Sequence, residues 1–406
     1  TLHEVCFPKI EHIDQVLAAI DGRTEFVVID KGDYTVIDYV VCMIDTFPPV
    51  ESESDAIRRE CRGLVFDNAT GNIIRRPYHK FFNMAERDET QPHGIDFKQD
   101  HVVLDKLDGS MICPFIVNGE IIWGTRKVAE PFHERVKEFV RRNTESNYEH
   151  MVRWTIENGL SPIFEYVAPD NKIVVEYEKE NLILTGFRNR HHGNYAQPSM
   201  MENFAGSSNV PFVNPAFDPV SDGVDFHNFL RDLKDDREGV VIRFTDGHML
   251  KIKTEKYALV HRSKNFMNDK DVVTGIVHGT LDDIKPYLVE DDRKAVERFE
   301  VDFWNGVNDT IQKLMQSVKE IQKQFKTPKE FALAEDPPFY DQRLKGLIFT
   351  LAFKDLNDDS ETLARDGIVN VLKKNVGSGP KIDQVRHLFG GHRFADRMFS
   401  SNVLDS

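Results

Sequence analysis

Cysteine is scarce: Cys6, Cys42, Cys61 and Cys113 are all that 406 residues hold. They are scattered, with no C-x-x-C pair and no neighbouring histidine. That spacing argues against a disulfide framework and a zinc site, and for a reducing compartment. Long apolar runs are missing too, and the opening residues TLHEVCFPKIEHID lack a basic-then-apolar signal pattern. A cytoplasmic protein without a membrane partner is therefore expected. Nor is there an excess of positive charge: 52 Lys and Arg stand against 67 Asp and Glu, a formal −15. A passive nucleic-acid coat draws its affinity from basic surface, so that class is disfavoured, although an enzyme can be acidic overall and grip a polynucleotide locally. What is present is ordinary for a globular enzyme, and the length leaves room for two domains.

Chemistry concentrates first in Lys106-Leu-Asp-Gly-Ser110. Val102 to Leu104 read as a strand entering a tight turn, Met111 to Val117 as a second strand, and Asn118-Gly119 as a hairpin turn before Ile121 to Gly124. Lys106 then sits at the lip of a sheet, beside Asp108 and a glycine that lets backbone approach a ligand. Such a lysine is a nucleophile if its surroundings remove the proton it keeps up to a pKa of about 10.4. K-x-D-G alone is weak, since roughly one chain in ten of this length carries it by chance.

Upstream, Ile10 to Ile20 has the pattern of a short helix, and Glu25 to Asp30 and Tyr34 to Ile44 read as strands. Between Arg58 and Lys80 lie Arg58, Arg59, Arg62, Arg75, Arg76, His79 and Lys80, on a hairpin (Gly63 to Asp67, Asn72 to Arg75) and on Pro77 to Asn83. Basic side chains interleaved with aromatics suit a polyphosphate; with Glu51, Glu53, Asp55 and Glu60 close by they equally suit a salt-bridged sheet face. Downstream, Glu130 to Asn158 reads as helical, and Ser161 to Val167, Ile173 to Tyr177 and Asn181 to Arg188 as strands. His191 to Asp222 reads as a long irregular connection, its His191-His192 a loop pair rather than a metal site, and Val224 to Lys234 as a short helix. Asp236 to Phe244 and Met249 to Thr254 form a hairpin. It carries Glu238 at its mouth and Lys251 and Lys253 on one face, a costly placement unless they meet anions.

Past about Tyr257 the pattern turns helical. Val296, Phe299, Phe303, Val307, Ile311, Leu314, Val318, Ile321 and Phe325 keep helical spacing up to Thr327-Pro328, and Phe339 to Phe353 and Glu361 to Asn375 follow suit. The tail from Lys373 to Arg397 is basic, fit either to touch RNA or to balance an acidic surface. Two H-x-[ST] triplets, His261-Arg-Ser263 and His278-Gly-Thr280, sit too close together for a phosphoesterase pair.

In order, the chain shows K-x-D-G-S, Phe164-Glu165, a strand ending in Arg188, E-G-V-V from Glu238 through Val240, and K-x-K at Lys251 and Lys253. This ordered set, over roughly residues 55 to 254, resembles the covalent nucleotidyltransferases: DNA ligases, RNA ligases and mRNA capping enzymes. DNA ligases and capping enzymes usually have an arginine where this chain has Met111, and they continue into a β-rich OB-fold where this chain turns helical. Cys61 to Phe66 and Arg76 to Asn83 look like upstream elements of the RNA ligase 1 family, the T-even-phage type that repairs cleaved tRNA. The resemblance implies an α+β fold: an ATP-grasp-like nucleotidyltransferase domain of antiparallel sheets with flanking helices over 1–257, then an all-helical domain over 258–406 concerned with the RNA substrate.

It also implies an ATP-dependent RNA ligase that joins 5′-phosphate and 3′-hydroxyl ends of single-stranded RNA, such as tRNA halves. The protein would act as a monomer in the cytoplasm of a cell or of a virus-infected host. Lys106 would carry AMP as a phosphoramidate. Lys251 and Lys253 would hold the α-phosphate, and Arg62 and Lys80 the outgoing pyrophosphate or substrate phosphate. Asp108, Glu165 and Glu238 would gather around Mg²⁺ or Mn²⁺. Phe164 or a neighbour would stack on adenine and Glu165 reach the ribose, with Arg126, Arg188 and Val240 as further nucleotide contacts. The competing readings are a GTP-using capping enzyme, a DNA ligase, and a catalytically idle RNA-binding descendant of the fold.

Overall fold

Strand alternation over the first two thirds of the chain resolves into three main sheets in the computed structural model. The described residues are 7–40, 42, 45–170, 175, 177–233, 237–254, 266–285, 288, 290–334, 341–353, 360–395 and 397–398. The expected strand Ile173 to Tyr177, the switch near Tyr257, the His261 triplet and the start of the expected helix Phe339 to Phe353 fall wholly or largely outside them. The chain divides into two compact units, Thr1–Val260 and His261–Ser406.

In the first unit, β1 (Phe26–Asp30), β2 (Tyr34–Tyr39), β3 (Leu64–Asp67) and β4 (Ile73–Arg75) form an antiparallel sheet in chain order. Here β5 is Phe82–Asn83, β6 His101–Lys106 and β7 Ser110–Ile112, followed by the hairpin of β8 (Phe115–Val117) and β9 (Glu120–Ile122). Then come β10 (Leu160–Val167), β11 (Asn181–Asn189), β12 (Pro215–Phe217), β13 (Gly239–Phe244) and β14 (Met249–Lys253). One sheet has the order β11-β10-β7, another β12-β6-β13-β14-β5, with β5 its single parallel partner.

Register fixes what each face of the five-stranded sheet carries. Gly239 stands opposite both Lys106 and Lys253, Val241 opposite Leu104 and Lys251, and Arg243 opposite Val102 and Met249. Side chains repeat every two residues, so these three rows share a face. The alternate residues Val103, Val240, Ile242, Leu250 and Ile252 bury on the other side in one apolar cluster. On β10 the same alternation sends Phe164 and Tyr166 into a second core with Trp123, Tyr148 and Leu184.

Three expected elements differ. The single helix expected over Glu130 to Asn158 is two, Glu130–Arg142 and Tyr148–Glu157, because Asn143 ends the first by donating its backbone N–H to the Phe139 and Val140 carbonyls and its Nδ2 to the Phe139 carbonyl. The strand Met111 to Val117 breaks at Cys113-Pro114, where proline has no N–H for a ladder. The connection His191 to Asp222 contains a helix, Pro198–Ser207, and β12, and His191 and His192 cap a turn by donating their N–H groups to Asn189 Oδ1.

The second unit is built on a 35-residue helix, Glu290–Gln324, whose stripe from Val296 to Ile321 is buried as its spacing predicts. Helices Lys345–Ala352 and Ser360–Asn375 pack on it. The unit is not wholly helical: Phe266–Met267 pairs with Arg397–Met398. Among the described residues no helix is long and apolar enough to cross a membrane.

Candidate active site

Lys106 is the last residue of β6, and the turn after it depends on Gly109. A Cβ there would lie 2.3 Å from the Tyr166 carbonyl oxygen, so a larger residue would push the turn off β10. Gly239 is equally constrained, since a Cβ would lie 2.0 Å from the Ile252 oxygen. These two close approaches bring Glu238 beneath two lysines. Its Oε1 is 2.7 Å from Lys106 Nζ and 3.6 Å from Lys253 Nζ.

The cation-bearing face of the five-stranded sheet and the Met111–Glu165–Thr185 face of the β7-β10-β11 sheet enclose a cleft of about 200 Å³. One end carries Lys106, Lys253, Arg62, Met111 and Glu165; the other carries Tyr78, Thr185, Arg243 and Met249. Lys80 and Lys251 line the same cleft. Burial pushes the Glu165 carboxyl up to about 8, against the pull of Lys106 and with Glu238 adding to the rise. Burial also pulls the Lys251 ammonium down to about 8, helped by Lys80 and Lys253. So many cations facing one another are costly without an anion, and the arrangement suits a ligand bearing several negative charges.

Of the residues marked in the sequence, Lys106, Arg62, Lys80, Glu165, Glu238, Lys251 and Lys253 come together here. Five do not. Phe164 follows its parity into the core, with ring centroids 6.3 Å from Trp123 and 6.1 Å from Tyr148, so it cannot stack on a cleft ligand. Val240 is likewise buried behind the sheet, and its neighbour Val241 lines the cleft. Arg188, fully buried, donates to Glu60 at 2.8 Å and to the Pro77 carbonyl at 2.6 Å. Arg126 is tied to Asp38 at 2.8 Å and to the Tyr39 hydroxyl at 3.2 Å. Asp108 is 1% exposed and accepts the Val175 N–H at 2.7 Å, which makes it a brace for the turn rather than a group facing the cleft.

The basic stretch from Arg58 to Lys80 divides in the same way. Arg58 pairs with Asp55, Arg59 with Glu89 and Arg76 with Glu60, while Arg75 donates to the carbonyls of Gly63, Cys113, Thr125 and Arg126. Arg62 and Lys80 alone among those seven line the cleft. Residues that the sequence reading missed are Tyr78, Phe81, Thr185 and Arg243. Their signal was parity: Tyr78 is two residues before Lys80, and Arg243 two after Val241. A separate group, Glu130, His133 and Glu134, has its ligand atoms within 4.8 Å of one another. His133 Nδ1 already accepts the Trp123 N–H at 3.0 Å, so its other nitrogen carries the hydrogen and is no ligand.

Residues 60–257 match the family model described as RNA ligase, of the T4 RNA ligase 1 type. A candidate RNA ligase of Thermovibrio ammonificans is 35% identical over 184 residues, 45% of this chain and 46% of that protein. RNA ligase 1 of bacteriophage TS2126 is 27% identical over 256 residues, 59% of this chain and 61% of that one. The chain thus spans between 46% and 61% of the length of these relatives. Among solved structures, an archaeal ATP-dependent RNA ligase aligns over 65% of this chain and 64% of that one, at 14% identity and a TM-score of 0.43.

Proposed function

We propose, from the match of residues 60–257 to the RNA ligase family model, that the chain is an ATP-dependent RNA ligase working through a lysyl-AMP intermediate. The observation that carries this reading is the end of the cleft where Lys106 meets Glu238 amid Arg62, Lys80, Lys251 and Lys253. Lys106 Nζ attacks the α-phosphorus of ATP and pyrophosphate leaves, giving the phosphoramidate. An RNA 5′-phosphate oxygen then takes the AMP from the lysine, and a 3′-hydroxyl displaces AMP to form the phosphodiester. Each step is an in-line displacement at phosphorus, so the protein's part is positioning and charge neutralisation.

Attack requires Lys106 Nζ as the neutral amine, and Glu238 Oε1 lies 2.7 Å from it. Release of the proton from Nζ, needed before attack, is favoured by the cations Lys251, Lys253, Arg62 and Lys80 gathered in the cleft and by a divalent ion when bound, and Glu238, in contact with Nζ, is placed to accept it. Glu165 and Glu238 are the carboxylates that would hold Mg²⁺ or Mn²⁺, an oxygen donor set that suits either ion. That ion, when bound, neutralises phosphate charge. Asp108, which braces the turn through Oδ2 and does not line the cleft, is left out of this set. The RNA ends are single-stranded, with tRNA halves one candidate, and the second unit is a candidate for choosing among them.

The test is incubation with α-labelled ATP and Mg²⁺, a denaturing gel, and a chase with 5′-phosphorylated single-stranded RNA. Label on the wild type that RNA discharges, and that Lys106→Ala lacks, is expected. Label persisting in Lys106→Ala sinks the assignment. A label from GTP in place of ATP would point to capping chemistry instead.

A further inference from the structure

The nucleotide-binding reading leaves one end of the cleft without an assigned task. Gly239 and Arg243 lie four residues apart on β13, about 13 Å along the strand. The Lys106 row is thus the phosphate end, and the Arg243 row is where the nucleoside of a nucleotide bonded to Lys106 would reach. Groups at that far end are hydroxyls, one guanidinium and aromatic rings.

Their hydrogen bonds run in one direction. Arg243 Nη2 donates to the Tyr78 hydroxyl, Tyr78 donates to Thr185 Oγ1 at 3.0 Å, and Thr185 donates to the Ile163 carbonyl at 3.1 Å. The Tyr78 ring is fixed by stacking on Tyr195, with centroids 5.6 Å apart and planes inclined by 21°. Arg243 lies 5.1 Å above the Tyr78 ring centroid. Its buried Nε has no hydrogen-bond partner among the described residues, and no carboxylate pairs with its guanidinium there. With their protons committed, Tyr78 and Thr185 offer the cleft lone pairs, and Arg243 offers N–H donors. The corner therefore presents an acceptor beside a donor.

We propose that Tyr78, Thr185 and Arg243 read the base of the nucleotide and select adenine over guanine. Adenine shows the N7 acceptor beside the N6 amino donor, matching Arg243 and the hydroxyl oxygens; guanine shows N7 and O6, both acceptors. To receive O6 a hydroxyl would have to turn its proton outward and abandon the chain that ends at Ile163. A buried polar group left unmatched is what gives hydrogen-bonding sites their power to reject a close analogue. Phe81, which lines the cleft 6.3 Å from Tyr78, offers a ring face that binds either purine alike.

This inference rests on the ligase reading, and its test separates the two. The rate of self-nucleotidylation is measured with α-labelled ATP and with α-labelled GTP, each below saturation, for the wild type, Tyr78→Phe, Thr185→Val, Arg243→Met and Phe81→Leu. The ratio of the two rates cancels any uniform loss of folded protein, and Tyr78→Phe keeps the stack on Tyr195. The expected ATP preference of the wild type falls about tenfold or more in the first three variants, the order of discrimination one base-reading pair supplies, and is unchanged in Phe81→Leu. An unaltered ratio in Tyr78→Phe and Arg243→Met, with the wild type labelled by ATP, overturns the base-reading role and leaves the ligase reading standing. No label on the wild type from either nucleotide overturns both.

Discussion

Two groups of charge lie close together in the first unit and are handled in opposite ways. Glu60, Arg76 and Arg188 are almost fully enclosed, and each charge has its partner: Glu60 Oε2 lies 3.1 Å from Arg76 Nε and 2.7 Å from Arg188 Nη1. Remaining guanidinium donors go to the carbonyls of Pro8, Pro77, His191 and Gly193. The cleft beside them gathers Arg62, Lys80, Lys106, Lys251 and Lys253 around two carboxylates. The closed network holds two arginines and no lysine, the cleft Arg62, Arg243 and four lysines, so the presence of arginine does not by itself mark a ligand site. What separates the two is neutralisation: a satisfied network ties segments together, while an oversupply of one sign awaits a ligand.

Breaking that contrast should give its largest effect at the closed network. Glu60→Gln leaves two arginines buried without a counter-charge, and loss of one partner of a buried pair costs about 3–5 kcal/mol. Urea unfolding should show that loss, with ATP labelling of the protein that remains folded little changed. A loss below about 1 kcal/mol would mean that water or neighbouring groups already compensate the arginines.

Lys251→Met should do the reverse. Removing one preorganised cation at a developing phosphate charge costs about 10²–10³ in rate. Because the ammonium is held down by burial and by its cationic neighbours, the substitution should leave stability unchanged or raise it. A fall in both rate and stability would place Lys251 with the structural group.

Acid and alkali should also divide the two regions. Burial raises the Glu60 carboxyl, but Arg188 and Arg76 outweigh it and hold it at about 2. A depressed acid contributes stability that is present above the ordinary carboxylate value of about 4.5 and is lost as pH falls toward 2, here on the order of 2–3 kcal/mol. Lys251 acts oppositely. Its depressed value penalises the folded state at neutral pH, and that penalty fades as pH rises from about 8 to the ordinary lysine value. Thermal unfolding followed across pH should lose its acid-limb slope in Glu60→Gln, and the alkaline gain in Lys251→Met. Unchanged slopes in either variant would dissociate that group from the effect.

The sequence carried the site's cations and carboxylates because the K-x-D-G, F-E, E-G-V-V and K-x-K segments are local and ordered, and strand register alone brings them into line. It also carried the long helix of the second unit, whose spacing is unbroken from Val296 to Ile321. What went astray lies one residue away from a correct position. Phe164 sits beside Glu165 and Val240 beside Val241, and neighbours on a strand point to opposite faces. Parity would have corrected both. Arg188 and Asp108 could not be placed that way, since their partners Glu60 and Val175 are 128 and 67 residues distant. The basic tail shows the same limit: Arg386 pairs with Asp269 and Asp383, Arg393 with Asp383 and His387 with Asp341.

That one-residue displacement supplies the finest test of the comparison, because it sets a core phenylalanine against a cleft phenylalanine with the same substitution. Phe164→Leu removes ring contacts with Trp123 and Tyr148 and should cost about 1–2 kcal/mol of stability, within the range for a partly filled core vacancy, with the KM for ATP in labelling unchanged. Phe81 is only partly buried and faces the cleft, so Phe81→Leu should cost under about 0.5 kcal/mol and raise that KM about three- to tenfold through lost ring contact with the base. Denaturant midpoints and KM values measured on the two variants should therefore cross. If Phe164→Leu were the one to raise KM, the ring would have to reach the ligand through a rearrangement of β10 that also moves Glu165, since the two residues share a backbone and lie on opposite faces.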